Sequence, residues 1–185
     1  MRAKGNGFVA AVLTAAGLAS AAGARGAEPA ASQVDPFVAR PRVIVMTDIA
    51  NEPDDQMSMV RFLVYSNGFD VEGLVATTST WMKNKVRPDV IHALIDAYEK
   101  VHPNLLKHAS GFPDPARLRS VVASGQPTYG MSAVGQGLSS PGSELMVRAA
   151  DKDDPRPLWV LAWGGTNTLA QALRDARASR SARRG

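Results

Sequence analysis

With 185 residues, 45% of them hydrophobic, the chain is long enough for one domain with a sizeable core. It contains no cysteine, which excludes disulfide bonds, thiolate metal sites and cysteine nucleophiles. The net charge of +4 does not indicate a nucleic-acid partner, because much of the excess lies near the C-terminus and no basic stripe interleaved with aromatic residues occurs elsewhere.

Residues 1–24 have the layout of a secretory signal peptide. Two basic residues precede an apolar run from Phe8 to Leu18, and Ala24 ends a small-residue cleavage site. The apolar run is too short for a comfortable membrane span, so no stable membrane anchor is expected. The sequence therefore predicts a secreted or periplasmic protein. Residues 25–41, rich in Ala and Pro, are predicted to form a linker.

A strand, a turn and a helix follow. The apolar, β-branched run from Val43 to Met46 predicts a buried strand. A helix is predicted from Asp54 to the Asn67-Gly68 stop signal, with Met57, Val60 and Val64 on one face and Phe62 and Leu63 beside them. Four carboxylates crowd the turn between them: Asp48, Glu52, Asp54 and Asp55.

Two interpretations of these carboxylates remain open. Acidic residues in the first turn of a helix cap free N–H groups and offset the helix dipole, which accounts for Asp54 or Asp55. It does not account for Asp48, which ends the preceding strand. Like charges this close repel unless a cation neutralises them, and Ca²⁺ accepts flexible carboxylate clusters. The spacing favours a metal site over simple capping.

The remaining segments alternate between strands and helices. In chain order we predict a strand at 70–78, a loop at 79–84, a helix from Pro88 with the apolar stripe Val90, Ile91, Leu94, Ile95 and Tyr98, short helices near 115–122 and 143–150, a strand at 157–163, a turn at 164–167, a helix at 169–177 and a disordered Arg-rich tail at 178–185. This alternation predicts an α/β fold with a Rossmann-like parallel sheet and helices on both faces.

The polar loops that follow the three predicted strands should meet at one edge of the sheet. They are 48–55, 79–83 and 163–167. Ligands of such sheets bind beyond the carboxyl ends of the strands, so this edge is the predicted site. Trp81, in the second loop, either stacks on a sugar ring or packs over the sheet edge, and the sequence leaves both open.

The stretch TDIANEPDD at 47–55 resembles the acidic signature of the calcium-dependent nucleoside hydrolases. From about Arg42 to about Arg177 the chain resembles more closely the nucleoside hydrolase-like domain of secreted bacterial proteins described as cellulose-binding. The segments VEGLVATTSTW, HASGFPDPARLRS and RPLWVLAWGGTNTLAQAL also carry this resemblance. It implies a carbohydrate or nucleoside ligand, a Ca²⁺ cofactor and hydrolysis of an N- or O-linked glycosidic bond.

The resemblance also implies roles for single residues. Asp48 would be the catalytic base, acting on a water bound to Ca²⁺, and would also bind the metal. Asp55 and the backbone carbonyl of Trp163 would complete the metal ligands that this chain supplies. Together with Trp81, whose position in the second loop allows it to stack on a sugar, the predicted substrate-binding residues are Asp54, Thr80 and Asn167.

Departures from the family pattern support a second hypothesis. Five residues separate Asp48 from Asp54, where nucleoside hydrolases usually have three, and Ser79-Thr80 replaces a Gly-Asn pair that touches the ribose. These changes favour a non-catalytic, cellulose-binding protein that retains the fold. The family also uses a later aspartate for its metal, so we expect a fold that is incomplete at the C-terminus and a chain that is inactive alone.

Overall fold

A computed structural model describes residues 40–182. Its strands and helices are β1 (Arg42–Thr47), α1 (Pro53–Val64), β2 (Asp70–Ala76), α2 (Pro88–His108), α3 (Pro115–Arg119), β3 (Val122–Ser124), α4 (Pro141–Ala150), β4 (Leu158–Ala162) and α5 (Asn167–Ala182). The predicted signal peptide, the predicted linker up to residue 39 and the last residues of the tail, 183–185, lie outside the described residues. Within the described part, no helix is both long and apolar enough to cross a membrane.

The four strands form one parallel sheet in the order β3–β2–β1–β4. Val45 of β1 lies beside Leu74 of β2 on one side and beside Leu161 of β4 on the other. Strand β3 pairs with the end of β2. Each parallel pair needs a crossover connection, and the helices provide it. The predicted α/β fold class is confirmed.

Helices cover both faces of the sheet because successive side chains of β1 point to opposite sides. Val43 and Val45 pack against α1 and α2 in one apolar core, whereas Ile44 and Met46 pack against α4 and α5 in another. All six residues of β1 are buried. This strand is therefore the rigid support of the loop that begins at Asp48.

Helix α1 buries the residues beside the predicted apolar face rather than that face itself. Met57 and Val60 are 65% and 46% exposed, and the buried residues of this helix are Met59, Phe62 and Leu63. The helix is apolar on two sides, so the 3.6-residue period alone did not choose between them. The side with Phe62 and Leu63 removes more apolar surface from water, and it faces the sheet.

The predicted boundaries also change at two places. Strand β3 was not predicted, because three residues in a Gly-, Ser- and Pro-rich segment give too short a pattern. Helix α5 continues through Ala182, so the described part of the tail, predicted to be disordered from residue 178, is helical. Arg180 in this last turn donates a hydrogen bond to Asp151 at 3.0 Å.

A buried arginine ties the sheet together at the amino ends of its strands. Arg42, only 2% exposed, donates to Glu72 Oε1 at 3.1 Å and to the Ala149 carbonyl at 2.5 Å. Burial raises the pKa of Glu72, but hydrogen bonds from Lys152 and Arg42 outweigh it and hold that pKa below its ordinary value. The network joins β1, β2 and α4 opposite the predicted site.

Candidate functional site

A cavity of about 300 Å³, here called the acidic cavity, lies at the carboxyl ends of β1, β2 and β4. Its lining residues are Asp48, Asn51, Glu52, Asp54, Asp55, Ser79, Thr80, Trp81, Tyr129, Trp163, Gly164 and Gly165. All three loops that the sequence places at this edge contribute to it. Parallel strands bring these loops together, as they do in other open α/β sheets.

A tight turn positions Asp48 directly after β1. Asp48 is 8% exposed, and its backbone carbonyl accepts a hydrogen bond from Asn51 N at 3.1 Å. Ala50, between them, has a φ of 75°, a left-handed conformation that is unfavourable for a residue with a Cβ. Strained backbone of this kind persists where surrounding structure holds it, often at functional sites.

Asp55 lies in the first turn of α1 and faces Thr47 at the end of β1. Thr47 Oγ1 donates a hydrogen bond to Asp55 Oδ2. The pKa of Asp55 is raised to about 6, mainly by burial; the neighbouring charges of Asp48 and Asp54 act in the same direction, and the hydrogen bond from Thr47 opposes the rise. The rise in the pKa of Asp55 reflects its burial and the negative charges of Asp48 and Asp54 beside it.

Capping does not explain the acidic residues of this turn. The residue that precedes α1 is Glu52, whose side chain makes no capping hydrogen bond, and Pro53 has no N–H to be capped. Asp54 is exposed at the cavity. The helix dipole still favours Asp54 and Asp55 in the first turn of α1. It does not explain why Asp48, which precedes the helix, is buried beside them.

The oxygen atoms that could bind a metal suit a hard cation, but they are few. Asp48, Asp55 and Trp163 line the same cavity, and oxygen ligands are those that Ca²⁺ prefers. Thr77 Oγ1 is buried without a hydrogen-bond partner among the described residues. A Cβ at Gly164 would lie 2.9 Å from both this oxygen and Asp48 Oδ1, so the β4 turn approaches closely.

The number of acidic ligands limits any such metal site. Within residues 40–182, no group of three or more His, Cys, Asp or Glu residues is arranged to hold a metal ion. Calcium takes six to eight oxygen ligands as a rule. Two carboxylates and one carbonyl therefore fit the chemistry of the ion and leave most of its coordination to water, to substrate or to further protein ligands.

The second loop presents Trp81 at the rim of the cavity. Ser79 Oγ accepts hydrogen bonds from the backbone N–H groups of Trp81 and Met82, at 3.1 and 3.0 Å, and so shapes the turn. Trp81 is 78% exposed, and Thr80 beside it is exposed as well. This exposure counts against the alternative in which Trp81 packs over the sheet edge, and it leaves both residues open to a ligand.

Asn167 lies behind the cavity and is not one of its lining residues. It is 5% exposed, its Nδ2 donates to the Thr128 carbonyl at 2.8 Å, and its Oδ1 accepts from Thr78 Oγ1 at 3.5 Å. The predicted contact of Asn167 with a substrate would require its amide to leave these partners.

Sequence reasoning missed Tyr129, which lines the cavity from the loop between β3 and α4. Its backbone N–H donates to the Lys83 carbonyl at 2.7 Å, so this loop is joined to the one that carries Trp81. The surrounding segment has no motif, and only an aromatic residue in a Gly- and Pro-rich stretch marked the position.

Comparisons with known proteins agree with this fold. The family described as "Cellulose-binding Sde182, nucleoside hydrolase-like domain" matches residues 42–184. A solved structure, a nucleoside hydrolase-related hypothetical protein from Saccharophagus degradans associated with carbohydrate metabolism, is 47% identical with a TM-score of 0.73. The match covers 75% of this chain and 34% of that one. A search of curated proteins gives no significant match. The chain belongs to the nucleoside hydrolase-like domain family of cellulose-binding Sde182.

Proposed function

We propose that the acidic cavity binds a carbohydrate and supports hydrolysis of its glycosidic bond, N- or O-linked. The observation that carries this proposal is the meeting of Asp48 and Asp55 at the carboxyl ends of the strands, where the pKa of Asp55 rises to about 6. Perturbed carboxyl groups in a cavity are common in catalytic sites. The chain spans 34% of the S. degradans protein, so the activity is proposed for the domain as a whole.

Asp48 is the proposed general base. It is held at the end of a buried strand, and its carboxylate would accept a proton from the water that attacks the anomeric carbon. The bond to the leaving oxygen or nitrogen breaks as positive charge develops on the sugar ring, and the nearby carboxylates stabilise that charge. Asp54, exposed at the cavity, would accept hydrogen bonds from a sugar diol.

Calcium is the proposed cofactor. Asp48, Asp55 and the Trp163 carbonyl are the groups of this chain that would hold it. A bound Ca²⁺ would neutralise the carboxylates and lower the pKa of a coordinated water. Trp81 at the rim would provide an aromatic surface for a sugar ring, and Thr80 a hydroxyl for hydrogen bonding.

Sugar release with and without calcium tests the proposal. The purified chain and the S. degradans protein would be incubated with inosine, uridine and cellohexaose, in Ca²⁺ or in EDTA. We expect release of sugar by the longer protein that needs Ca²⁺ and is lost when the residue matching Asp48 becomes Asn. The matched control is the same change at the position of the longer protein that corresponds to Asp153, which in this chain is an exposed carboxylate outside the cavity. Absence of metal-dependent release from every substrate would contradict hydrolysis.

A second candidate function is carbohydrate binding without catalysis. Two observations favour it: no cluster of three acidic or histidine ligands occurs in the described part, and the matching family is described as cellulose-binding. Retention on insoluble cellulose that is lost in Trp81→Ala and kept in Asp48→Asn, without sugar release, would support binding alone. A wild-type protein that stays in the supernatant would contradict it.

Export is part of the same proposal. Insoluble cellulose is met outside the cytoplasm, and residues 1–24 have the features of a secretory signal peptide. Expression in a bacterial host with a periplasm, followed by N-terminal sequencing of the exported product, tests it. We expect a mature chain that begins at Arg25, and a chain that stays in the cytoplasm with its first residues intact would contradict export.

A further inference from the structure

The loop between β3 and α4 is held by side-chain amides. Gln126 is fully buried, and its Nε2 donates to the Leu138 carbonyl at 2.6 Å. Gln171 of α5 is also buried; it donates to the Gly135 carbonyl at 2.9 Å and accepts from Gly135 N at 2.8 Å. Buried amides are costly unless they are hydrogen-bonded, so these contacts define one conformation of the loop.

Asn167 adds a contact at the point where this loop meets the cavity. Its Nδ2 donates to the carbonyl of Thr128, the residue before Tyr129, at 2.8 Å. Because Asn167 is the first residue of α5 and is 5% exposed, it is a rigid anchor. The backbone on the N-terminal side of Tyr129 is therefore fixed to the helix that follows β4.

Contacts on its other sides fix Tyr129 itself. Its N–H donates to the Lys83 carbonyl at 2.7 Å, and a Cβ at Gly165 would lie 3.1 Å from its ring atom Cε2. The ring therefore rests on a residue without a side chain. Tyr129 is still 38% exposed, and it lines the acidic cavity together with Trp81.

We propose that Tyr129 is a specificity-determining residue of the acidic cavity, where it contacts the apolar face of a sugar ring, and that Asn167 is the residue that positions it. The proposal rests on the proposed function, since it assumes that the cavity binds a carbohydrate. Tyr129 and Trp81 can contact the apolar faces of a neutral sugar ring, and the carboxylates that line the same cavity can accept hydrogen bonds from its hydroxyl groups. The same carboxylates repel anionic ligands.

Binding to cellohexaose and to inosine, measured by calorimetry on the full chain in Ca²⁺, tests both assignments. Tyr129→Ala should weaken binding of the preferred ligand by about tenfold, as truncation of an interface anchor does, and should change the ratio of the two affinities. Tyr129→Phe keeps the ring and should stay within about twofold of the wild type. Tyr65→Ala is the matched control, because Tyr65 is 65% exposed and lies outside the cavity.

Asn167→Asp keeps the shape of the side chain and removes the donor to Thr128. It should speed hydrogen exchange at the Tyr129 amide and weaken the same ligand by about threefold, roughly half the free-energy effect of losing the ring. Asn104→Asp, the same substitution at an exposed position of α2 outside the cavity, should leave both readouts unchanged.

Each contrary result has its own meaning. Binding by Tyr129→Ala that equals the wild type would overturn the role of Tyr129 and leave the carbohydrate site intact. Unchanged exchange and affinity in Asn167→Asp would overturn the positioning role. If neither ligand binds to the wild type or to Tyr65→Ala, the proposed function fails, and the role of Tyr129 fails with it.

Discussion

Thr47 Oγ1 donates a hydrogen bond to Asp55 Oδ2 and so joins the end of the central strand to the first turn of the next helix. The contact holds one carboxylate towards Asp48 even though like charges repel. The pKa of Asp55 rises to about 6 because burial removes water and because Asp48 and Asp54 add negative charge. Burying the charged Asp55 beside Asp48 and Asp54 therefore lowers the free energy of unfolding, at the cavity where the proposed chemistry takes place.

Asp55→Asn should therefore stabilise the calcium-free protein near neutral pH. The pKa of Asp55 is about 6 in the folded state against an ordinary value of 3.8, so the folded state binds more protons between these values. Its stability relative to the unfolded state falls as pH rises through this window. Because the carboxylate is partly solvated, we expect a gain of no more than about 1 kcal/mol, or about 2–4 °C in Tm.

Thermal unfolding in EDTA at pH 4 and pH 7.5 measures this effect. The variant should melt above the wild type at pH 7.5, and the two should converge at pH 4, where both carry a neutral group at this position. Asp153→Asn removes an exposed carboxylate from the opposite end of the sheet, and its Tm should not differ from that of the wild type in this pH-dependent way. A variant that melts below the wild type at pH 7.5 would show that the Asp55 charge is stabilising.

Calcium should raise the Tm of the wild type but not that of Asp55→Asn. An ion that binds only the folded state stabilises it by about 2.7 kcal/mol at a hundredfold excess over Kd. The few acidic ligands here predict weak binding, and hence a small rise in Tm at millimolar Ca²⁺ that EDTA reverses. Asp55→Asn should abolish the rise. Equal melting curves in Ca²⁺ and EDTA, for this chain and for the longer S. degradans protein, would contradict the metal assignment.

Much of the fold followed from local patterns. The buried run in β1 predicted a central strand, and the alternation of strands and helices predicted which loops would meet. The predicted stripe on α2 is confirmed, with Ile91, Ile95 and Tyr98 buried. These features depend on the periods of helix and strand, which a single sequence displays directly.

Features that depend on distant contacts were not predictable. The choice between the two apolar sides of α1 depends on which one the sheet covers, so Met59 was missed. Tyr129 lies at the cavity because Lys83 holds its backbone N–H and Asn167 holds the carbonyl of Thr128 before it, and both partners are far from it in sequence. Arg42 is buried because acceptors from β2 and α4 surround it, and nothing in the sequence around residue 42 shows this.

Arg42→Met should lower stability without reaching the cavity. Among residues 40–182, the substitution leaves Lys152 as the one cationic partner of Glu72, and it removes the donor from the Ala149 carbonyl. Breaking a buried ion pair on one side costs about 3 kcal/mol, or about 6–12 °C in Tm for a chain of this length. The control is Arg148→Met, because that side chain is 67% exposed.

Chemical denaturation of both arginine variants distinguishes the two sites. Arg148 makes one helical ion pair with Glu144 at 3.6 Å, so its loss should cost about 0.5 kcal/mol or less. The calcium response should persist in Arg42→Met at a temperature where the variant is folded, since Arg42 lies at the amino ends of the strands. Equal stability of the two variants would contradict the importance of the buried network.

Gly165→Ala should disrupt the cavity itself. A Cβ at this position would lie 2.3 Å from the Thr78 carbonyl oxygen and 3.1 Å from Tyr129 Cε2. The first distance is far below van der Waals contact and involves backbone, so the β4 turn and the end of β2 must separate. The Gly165 N–H also donates to that carbonyl at 3.0 Å, and this bond would be lost. Overpacking of this kind typically costs about 1–3 kcal/mol.

Gly68→Ala is the matched control, because nothing lies within 4 Å of a Cβ at that position. It should change stability by less than about 0.5 kcal/mol, as surface substitutions usually do. Gly165→Ala should also weaken cellohexaose binding, since Tyr129 rests on Gly165 and must move with the turn. Unfolding and calorimetry of the two variants give both readouts. A Gly165→Ala protein as stable as Gly68→Ala, with wild-type binding, would contradict the close approach of the three loops.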